Sequence, residues 1–305
     1  MAKKVIAITI GDINGISPEI ILRGHKELTS ICTPLYFTNY KMLKRAADLL
    51  NLDIPRDMEL EYISGSFKIK PGKIGAKSGD YSFRSFKKAV QFTKAGITDA
   101  MVTLPIHKKA WERAGLPYRG HTEALRDFFK KKAIMMLGVP ELFVALYTEH
   151  IPLKDVAKRI KRERLEKFLL DFAKNIKTEK VAVLGLNPHA GDGGVMGSEE
   201  KEIEKAIKGA NKKLKRELFT GPLVPDTAFT PDMRARYGHF IAMYHDQGLA
   251  PLKALCFDEA INVSLNLPIV RSSVDHGTAF DIAYKPVPKS LKSYINAVKY
   301  AIDAS

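Results

Sequence analysis

Apolar and polar positions along this chain alternate between two periods, and that alternation is its strongest signal. Short apolar runs rich in β-branched residues occur at Val5–Ile10, Pro34–Thr38, Ala100–Thr103, Ala133–Leu137, Phe143–Tyr147, Val181–Leu186, Phe240–Tyr244 and Ala260–Leu265. Runs this short, flanked by turn residues, read as buried strands. Between them, helical spacing occurs at Pro18–Leu28, Tyr40–Leu50, Ser82–Ala95, Glu123–Lys131, Leu153–Ile176, Glu199–Leu214 and Ser290–Ile302. The interleaving predicts an α/β fold with a largely parallel sheet. Ser17, Pro18 and Glu19 predict a helix start with Ser17 as its N-cap. The chain has 305 residues, enough for two domains, and shows no repeat, low-complexity tract or flexible linker. The expected division is a first domain of residues 1–120 plus 255–305, with a second domain, 121–254, inserted into it.

In open α/β sheets, ligands bind beyond the carboxyl ends of the strands, so the residues that follow each strand are the candidates. After the first strand comes GDINGISPE, a glycine turn opening onto a helix. Such a turn either offers N–H groups to an anion or simply needs glycine to be tight. After Val181–Leu186 comes NPHAGDGGVMGSEE, where Gly191, Gly193 and Gly197 resemble a loosened dinucleotide fingerprint. A true fingerprint needs a following strand ending in an acidic residue about 20 positions on, and KLKRELFTGPLVPD does not obviously supply it. A Rossmann site is therefore disfavoured, and Asn187 and His189 read as polar groups held at a strand end.

His150, His189 and His245 each follow a strand. Three imidazoles so placed could converge on a divalent cation and leave positions open for substrate; their spacing matches no local metal motif, so three unrelated polar residues is the alternative. His25 and His239 lack that setting and read as surface residues. From Tyr244 to His276 the polar residues His245, Asp246, Lys253, Asn262, Arg271, Ser272, Asp275 and His276 lie among apolar ones. Lys253, Asn262 and Arg271 could grip a phosphate or carboxylate, or Arg271 could be a surface ion-pair partner. His121 and Thr122 add donors at another helix start, unless Thr122 is only the N-cap.

Charge narrows the partners. Lys and Arg number 49 against 34 Asp and Glu, a net +15. Much of the excess lies in mixed-sign stretches such as Lys154–Lys167 and Lys201–Lys215, which read as solvated helix faces. No zinc finger, basic zipper or aromatic RNA motif accompanies it, so a small phosphorylated substrate is the better partner than nucleic acid. No window approaches the ~18 consecutive apolar residues of a membrane span, so no membrane role is expected. The opening MAKKVIAITIGD mimics a secretion signal, but its apolar stretch runs into Gly11 and Asp12 without a cleavage site and reads as a strand. Cys32 and Cys256 are too few for a disulfide framework, which fits a reducing cytoplasm.

Long blocks then add a resemblance. ITIGDINGISPEI, DAMVTLPIHKKAWERAG, GHTEALRDFF, TEHIPLKDV, LGLNPHAGDGGVMGSEE, GPLVPDTAF, AMYHDQGLAPLKAL and INVSLNLPIVRSSVDHGTAFDIA run collinear over nearly the whole chain. Together they resemble the 4-hydroxythreonine-4-phosphate dehydrogenase family of pyridoxal phosphate (vitamin B6) biosynthesis. The resemblance implies two α/β/α domains with a central cleft, like isocitrate and isopropylmalate dehydrogenases and unlike a Rossmann fold. It implies a homodimer with shared active sites, and His150, His189 and His245 as ligands of one divalent metal (zinc, magnesium or cobalt). His121, Thr122, Lys253, Asn262 and Arg271 match the family's substrate contacts, and Asp275, His276, Gly277, Thr278 and Ala279 its NAD-binding loop, with NADP also possible. The implied reaction oxidises and decarboxylates 4-phosphohydroxy-L-threonine to 3-amino-2-oxopropyl phosphate; the alternative is a paralogue acting on erythronate or threonate phosphate. Lys253, Asp246 and Asp226 are the candidates for the general base, and any of them could instead bind substrate or orient a ligand histidine. Two stretches depart from the family pattern: GDINGISPE stands where GDPAGIGPE is usual, and Ala283–Pro288 replaces an AGxGxA stretch.

Overall fold

The computed structural model describes residues 3–305. The chain forms two units, one comprising the residues up to Ala133 together with Ile261–Ser305, the other Ile134–Ala260. In the first, β1 (Val5–Thr9) leads to α1 (Ser17–Ile31), β2 (Thr33–Phe37), α2 (Tyr40–Leu50), β3 (Glu59–Glu61), α3 (Ala76–Lys94), β4 (Ala100–Thr103), α4 (Lys108–Arg113) and α5 (His121–Phe129). The second contains β5 (Ile134–Val139), β6 (Leu142–Leu146), α6 (Val156–Arg159), α7 (Arg162–Ala173), β7 (Val181–Leu184), α8 (Glu199–Leu214), β8 (Phe219–Leu223), α9 (Pro231–Arg236), β9 (His239–Ala242) and α10 (His245–Cys256). The chain then returns to the first unit as β10 (Ile261–Leu265), β11 (Arg271–Val274) and α11 (Lys292–Ala304).

The first unit's strands lie in the order β3-β2-β1-β4-β11-β10, all parallel except β10, which runs antiparallel to β11. Four of the five residues of β1 and all four of β4 are buried, as expected of strands covered on both faces. The chain builds outward from β1 through β2 to β3, then β4 returns on the other side of β1. That reversal makes a switch point beside β1, although the loops after β1 and β4 are joined there by the Asp12 N–H to Pro105 O hydrogen bond (2.8 Å). Helices α1 and α11 pack on each other, and α3 packs on β1, β2 and β4.

The second unit's strands lie in the order β5-β6-β9-β7-β8, with β5 and β6 as a hairpin and the others parallel. Its core gathers Val144, Leu146, Ala182, Leu184, Phe240, Ala242, Leu249 and Leu252 beneath α10. The largely parallel α/β layering is as the periodicity predicts.

Several expectations need correction. Helix α5, expected beyond a boundary at 120, clusters with the first unit. Ser17 does not cap α1; it is the first helical residue, Ile16 holds the N-cap position, and no side chain caps that end. Leu153–Ile176 is not one helix. A 3-10 turn at Leu153–Asp155 and α6 end at extended Ile160, and α7 starts afresh from extended Lys161. His25 and His239 are not surface residues. His25 is fully buried, with Nδ1 2.9 Å from Tyr36 Oη, and His239 is half-buried, its ring against Phe143 and Phe172. Strands β3, β8 and β11 and helices α4, α9 and α10 are additional elements. Gly221 and Pro222 break the apolar run of β8, a sheet-edge strand, and Gly248 and Pro251 break the helical pattern of α10.

Candidate active site

Arg271 opens β11 in the first unit and is only 3% exposed. The strand register sets Ser273 beside Thr103 of β4 and beside Asn262 of β10, so these side chains and Arg271 share one sheet face. The Arg271 guanidinium donates to Thr103 Oγ1 from Nε (3.1 Å) and Nη2 (2.5 Å), and to Ser264 Oγ from Nη1 (3.0 Å). All of these are neutral hydroxyls; among the described residues no carboxylate pairs with it, which excludes the surface ion-pair reading. Burial pulls Arg271 down to about 9. A buried cation without a counter-ion is costly, and a bound anion removes the cost.

Two further groups beside it have unmet hydrogen-bonding capacity, one a donor and one an acceptor. His121, the first residue of α5, lies tilted against Phe86 (ring centroids 4.8 Å apart) and edge-on to Trp111 (5.5 Å), with Nδ1 3.5 Å from Arg271 Nη2. Burial, and then the Arg271 charge, hold its pKa well below the usual histidine range, so the ring is neutral. With Nδ1 facing a donor, the proton sits on Nε2, which is buried and has no partner. Asn262 Oδ1 is likewise buried without a partner. Thr122 lies inside α5, whose N-cap is Gly120, so it is not the cap. The sequence pattern does not mark Thr103 or Ser264 as members of this cluster; the only signal is their place on strands beside an arginine.

The turn after β1 proves structural. The N–H groups of Asp12, Asn14, Gly15 and Ile16 are taken by Pro105 O, Asp12 Oδ1, Asp12 O and Thr278 O, leaving none of these four for an anion. It grips the 275–284 segment instead. Gly15 is flush against Thr278, where a Cβ would lie 2.6 Å from the carbonyl oxygen, and Tyr284 Oη donates to Ile13 O at 2.7 Å. His107 stacks on Phe280 with ring centroids 4.9 Å apart. The two departures from the family pattern thus touch each other through Ile13 and Tyr284. Within the segment, Thr278 is buried, Ala279 has φ 43°, and His276 has a buried Nε2 without a partner, its pKa lowered by burial. An orphaned ring nitrogen beside a glycine fits a polar cofactor. Asp275 and Gly277 complete the segment, half-buried and exposed respectively.

In the second unit, His150, His189 and His245 follow β6, β7 and β9, neighbouring parallel strands, and so emerge at one edge of the sheet. Thr148 ties the first and third strand ends together: its N–H and Oγ1 both donate to Met243 O (3.2 and 2.6 Å). The His150 and His245 rings lie 5.2 Å apart. His245 Nδ1 is 2.8 Å from Asp246 Oδ1, which places the proton there and leaves the Nε2 lone pair for a metal. The donor set therefore suits a divalent cation. His189 is exposed on a 3-10 segment, Pro188–Gly194, and does not join the pair: among the described residues no three His, Cys, Asp or Glu assemble as a metal group. From His189 to Gly193 five successive residues have φ between 43° and 79°. Left-handed backbone costs about 1–2 kcal/mol per residue bearing a Cβ, so the loop must be held by its surroundings. Of the other candidates, Lys253 lies on α10 with Nζ 5.6 Å from the Phe257 ring, and Asp226 is exposed after β8.

Two α/β units with largely parallel sheets, one containing a buried, carboxylate-free arginine and the other a histidine pair, define the class of fold. The solved β-decarboxylating dehydrogenase of Thermococcus kodakarensis is similar in fold alone, with TM-score 0.52 and 12% identity over 97% of this chain and 82% of that one. The chain belongs to the family of the pyridoxal phosphate biosynthetic protein PdxA, whose model matches residues 30–301. It is 58% identical to the 4-hydroxythreonine-4-phosphate dehydrogenase of Sulfurimonas denitrificans, over 99% of this chain and 98% of that one. The crystal structure of a 4-hydroxythreonine-4-phosphate dehydrogenase from Burkholderia phymatum matches with TM-score 0.83 and 31% identity, over 100% and 99% of the two chains.

Proposed function

We propose that this chain is an oxidoreductase of vitamin B6 biosynthesis. It oxidises the CH–OH group of 4-phosphohydroxy-L-threonine and releases CO2 and 3-amino-2-oxopropyl phosphate. The observation that carries the reading is Arg271, a buried guanidinium with no carboxylate partner among the described residues, beside the unpaired Nε2 of His121 and Oδ1 of Asn262. A dianionic phosphate satisfies the first two: it accepts from Arg271 and from His121 Nε2–H and supplies the missing counter-charge, while Asn262 Oδ1, an acceptor, calls for a donor such as the substrate's hydroxyl or ammonium group. Thr122 and Lys253 add donors to the substrate.

His150, His189 and His245 hold one divalent metal, zinc, magnesium or cobalt. The His150 and His245 rings lie 5.2 Å apart with His189 away from them, and we favour a homodimer in which a second copy supplies the third ring. A cation held there supplies Lewis acidity for the substrate hydroxyl and for the ketone that replaces it. Residues Asp275–Ala279 receive NAD or NADP, which supplies the hydride acceptor. Asp246 is committed to His245 and orients it, which leaves Lys253 or Asp226 to take the hydroxyl proton. The work is cytoplasmic and requires neither nucleic acid nor membrane; no described helix is long and apolar enough to cross a bilayer.

NADH formation by the metal-loaded protein tests this, with 4-phosphohydroxy-L-threonine offered beside erythronate and threonate phosphates. Turnover should be greatest on the amino acid, stop with a chelator and be lost in Arg271→Met. Greater turnover on a sugar acid would keep the chemistry and move the pathway. No reduction of either nicotinamide cofactor would overturn the dehydrogenase reading.

A further inference from the structure

The strained loop that carries His189 is built around a carboxylate that belongs to another element. Glu200 lies in the first turn of α8 and is 8% exposed. Its Oε1 accepts the backbone N–H of Leu186 (2.9 Å) and of Asn187 (2.7 Å), and its Oε2 accepts Asn187 Nδ2 (2.9 Å). No cationic side chain pairs with Glu200 among the described residues, so these three N–H donors and the positive end of α8 stabilise its charge. The loop closes over this carboxylate. A Cβ on Gly191 would lie 2.6 Å from Glu200 Oε2, and one on Gly197 would collide with the Asn187 amide. His189 and Ala190, both left-handed at φ 50°, lie between the part of the loop that Glu200 hydrogen-bonds and the glycine packed against it.

We propose that Glu200 is a positioning residue for His189: its carboxylate fixes Leu186, Asn187 and Gly191 around one point and so holds the left-handed turn that presents the imidazole. The inference rests on the reading of His189 as a metal ligand. Gln has nearly the shape of Glu but places an NH2 or a single carbonyl where two oxygens now accept three N–H groups, so Glu200→Gln must leave donors facing donors.

The test is titration of the metal-free full-length protein with Co2+, followed by calorimetry and by the visible absorption of the bound ion. Wild type, Glu200→Gln, Asn187→Ala and His189→Ala are compared, each first checked by circular dichroism. Glu200→Gln should weaken Co2+ binding about 10–100-fold with the fold intact, the range typical of groups that orient metal ligands. Exchange of the Leu186 and Asn187 amides should speed up in the same variant. Asn187→Ala, which removes one of the three donors, should weaken binding less and decides the matter if Glu200→Gln does not fold. Wild-type affinity in Glu200→Gln, or in Asn187→Ala where that variant decides, beside weakened binding in His189→Ala would overturn the positioning role and leave the ligand reading standing. Wild-type affinity in His189→Ala would overturn both.

Discussion

Asp12 and His239 each pay for burial in the charged form, and they pull stability in opposite directions over the same pH range. Burial raises Asp12 from 3.8 to about 6, although the Asn14 N–H opposes it. Between those values the folded chain keeps a proton that the unfolded chain has released, so stability falls as pH rises from about 4 to 6. Burial lowers His239 from 6.5 to about 4. There the unfolded chain holds the extra proton, and stability rises with pH across the same range. Asp12→Asn keeps an acceptor for the Asn14 N–H. It should raise stability at pH 8 by up to about 3 kcal/mol and leave a profile that climbs between pH 4 and 6.5. Urea unfolding at a series of pH values measures this, and an unchanged profile would mean that Asp12 is hydrated in the folded state. At this scale the sequence was partly legible. Arg271 stood out as a cation among apolar residues, and its lack of a carboxylate is a fact of packing alone. His25 is buried rather than exposed because it shares the buried stripe of α1 with Ile21 and Leu28, a spacing visible in the sequence.

Helix α2 shows how an element can depend on one bifunctional side chain. Asn39 caps it by accepting the Met42 N–H at 2.8 Å, and its Nδ2 donates to Ile63 O (2.6 Å) and Gly65 O (2.9 Å). The cap joins the helix start to the chain beyond β3. Loss of the cap alone costs about 1 kcal/mol, and the stranded carbonyl of buried Ile63 adds about 1 kcal/mol or more, the exposed Gly65 carbonyl adding less. Asn39→Ala should therefore cost about 2–4 kcal/mol in chemical denaturation. Asn39→Asp should do no better, although Asp is as good a cap, because a carboxylate cannot donate to the two carbonyls. A nearly neutral Asn39→Asp would show that only the cap matters. Elements with a continuous apolar run or a clean helical period are legible in sequence, and those interrupted by polar residues, Gly or Pro are not. β11 reads RSSV, with the buried Arg271 and hydroxyls where an apolar run would mark a strand, and Gly248 and Pro251 interrupt the helical pattern of α10.

On the scale of the whole molecule, the chain divides into two units between Ala133 and Ile134 and between Ala260 and Ile261. No linker marks the crossings, since the chain leaves the first unit directly from α5 and returns directly into β10. The second unit is continuous in sequence and contains its own core from Met135 to Leu252. Residues 134–260 expressed alone should therefore unfold in one cooperative transition by circular dichroism; a broad, non-cooperative melt would count against independent folding. The chain's single tryptophan, Trp111, is fully buried in the first unit, so its fluorescence follows that unit while circular dichroism follows both.

The return of the chain into the first unit also bears on its synthesis. β4 finishes at Thr103, but β11, its neighbour in the sheet, begins only at Arg271. At about 5–20 residues per second, a ribosome leaves that side of β4 without its partner for about 10–30 s. The unit encoded in the middle of the gene can thus fold before the one encoded first. Meanwhile a buried, apolar strand waits with an open edge, the state in which a nascent chain is most prone to pair with a neighbour and most in need of a chaperone.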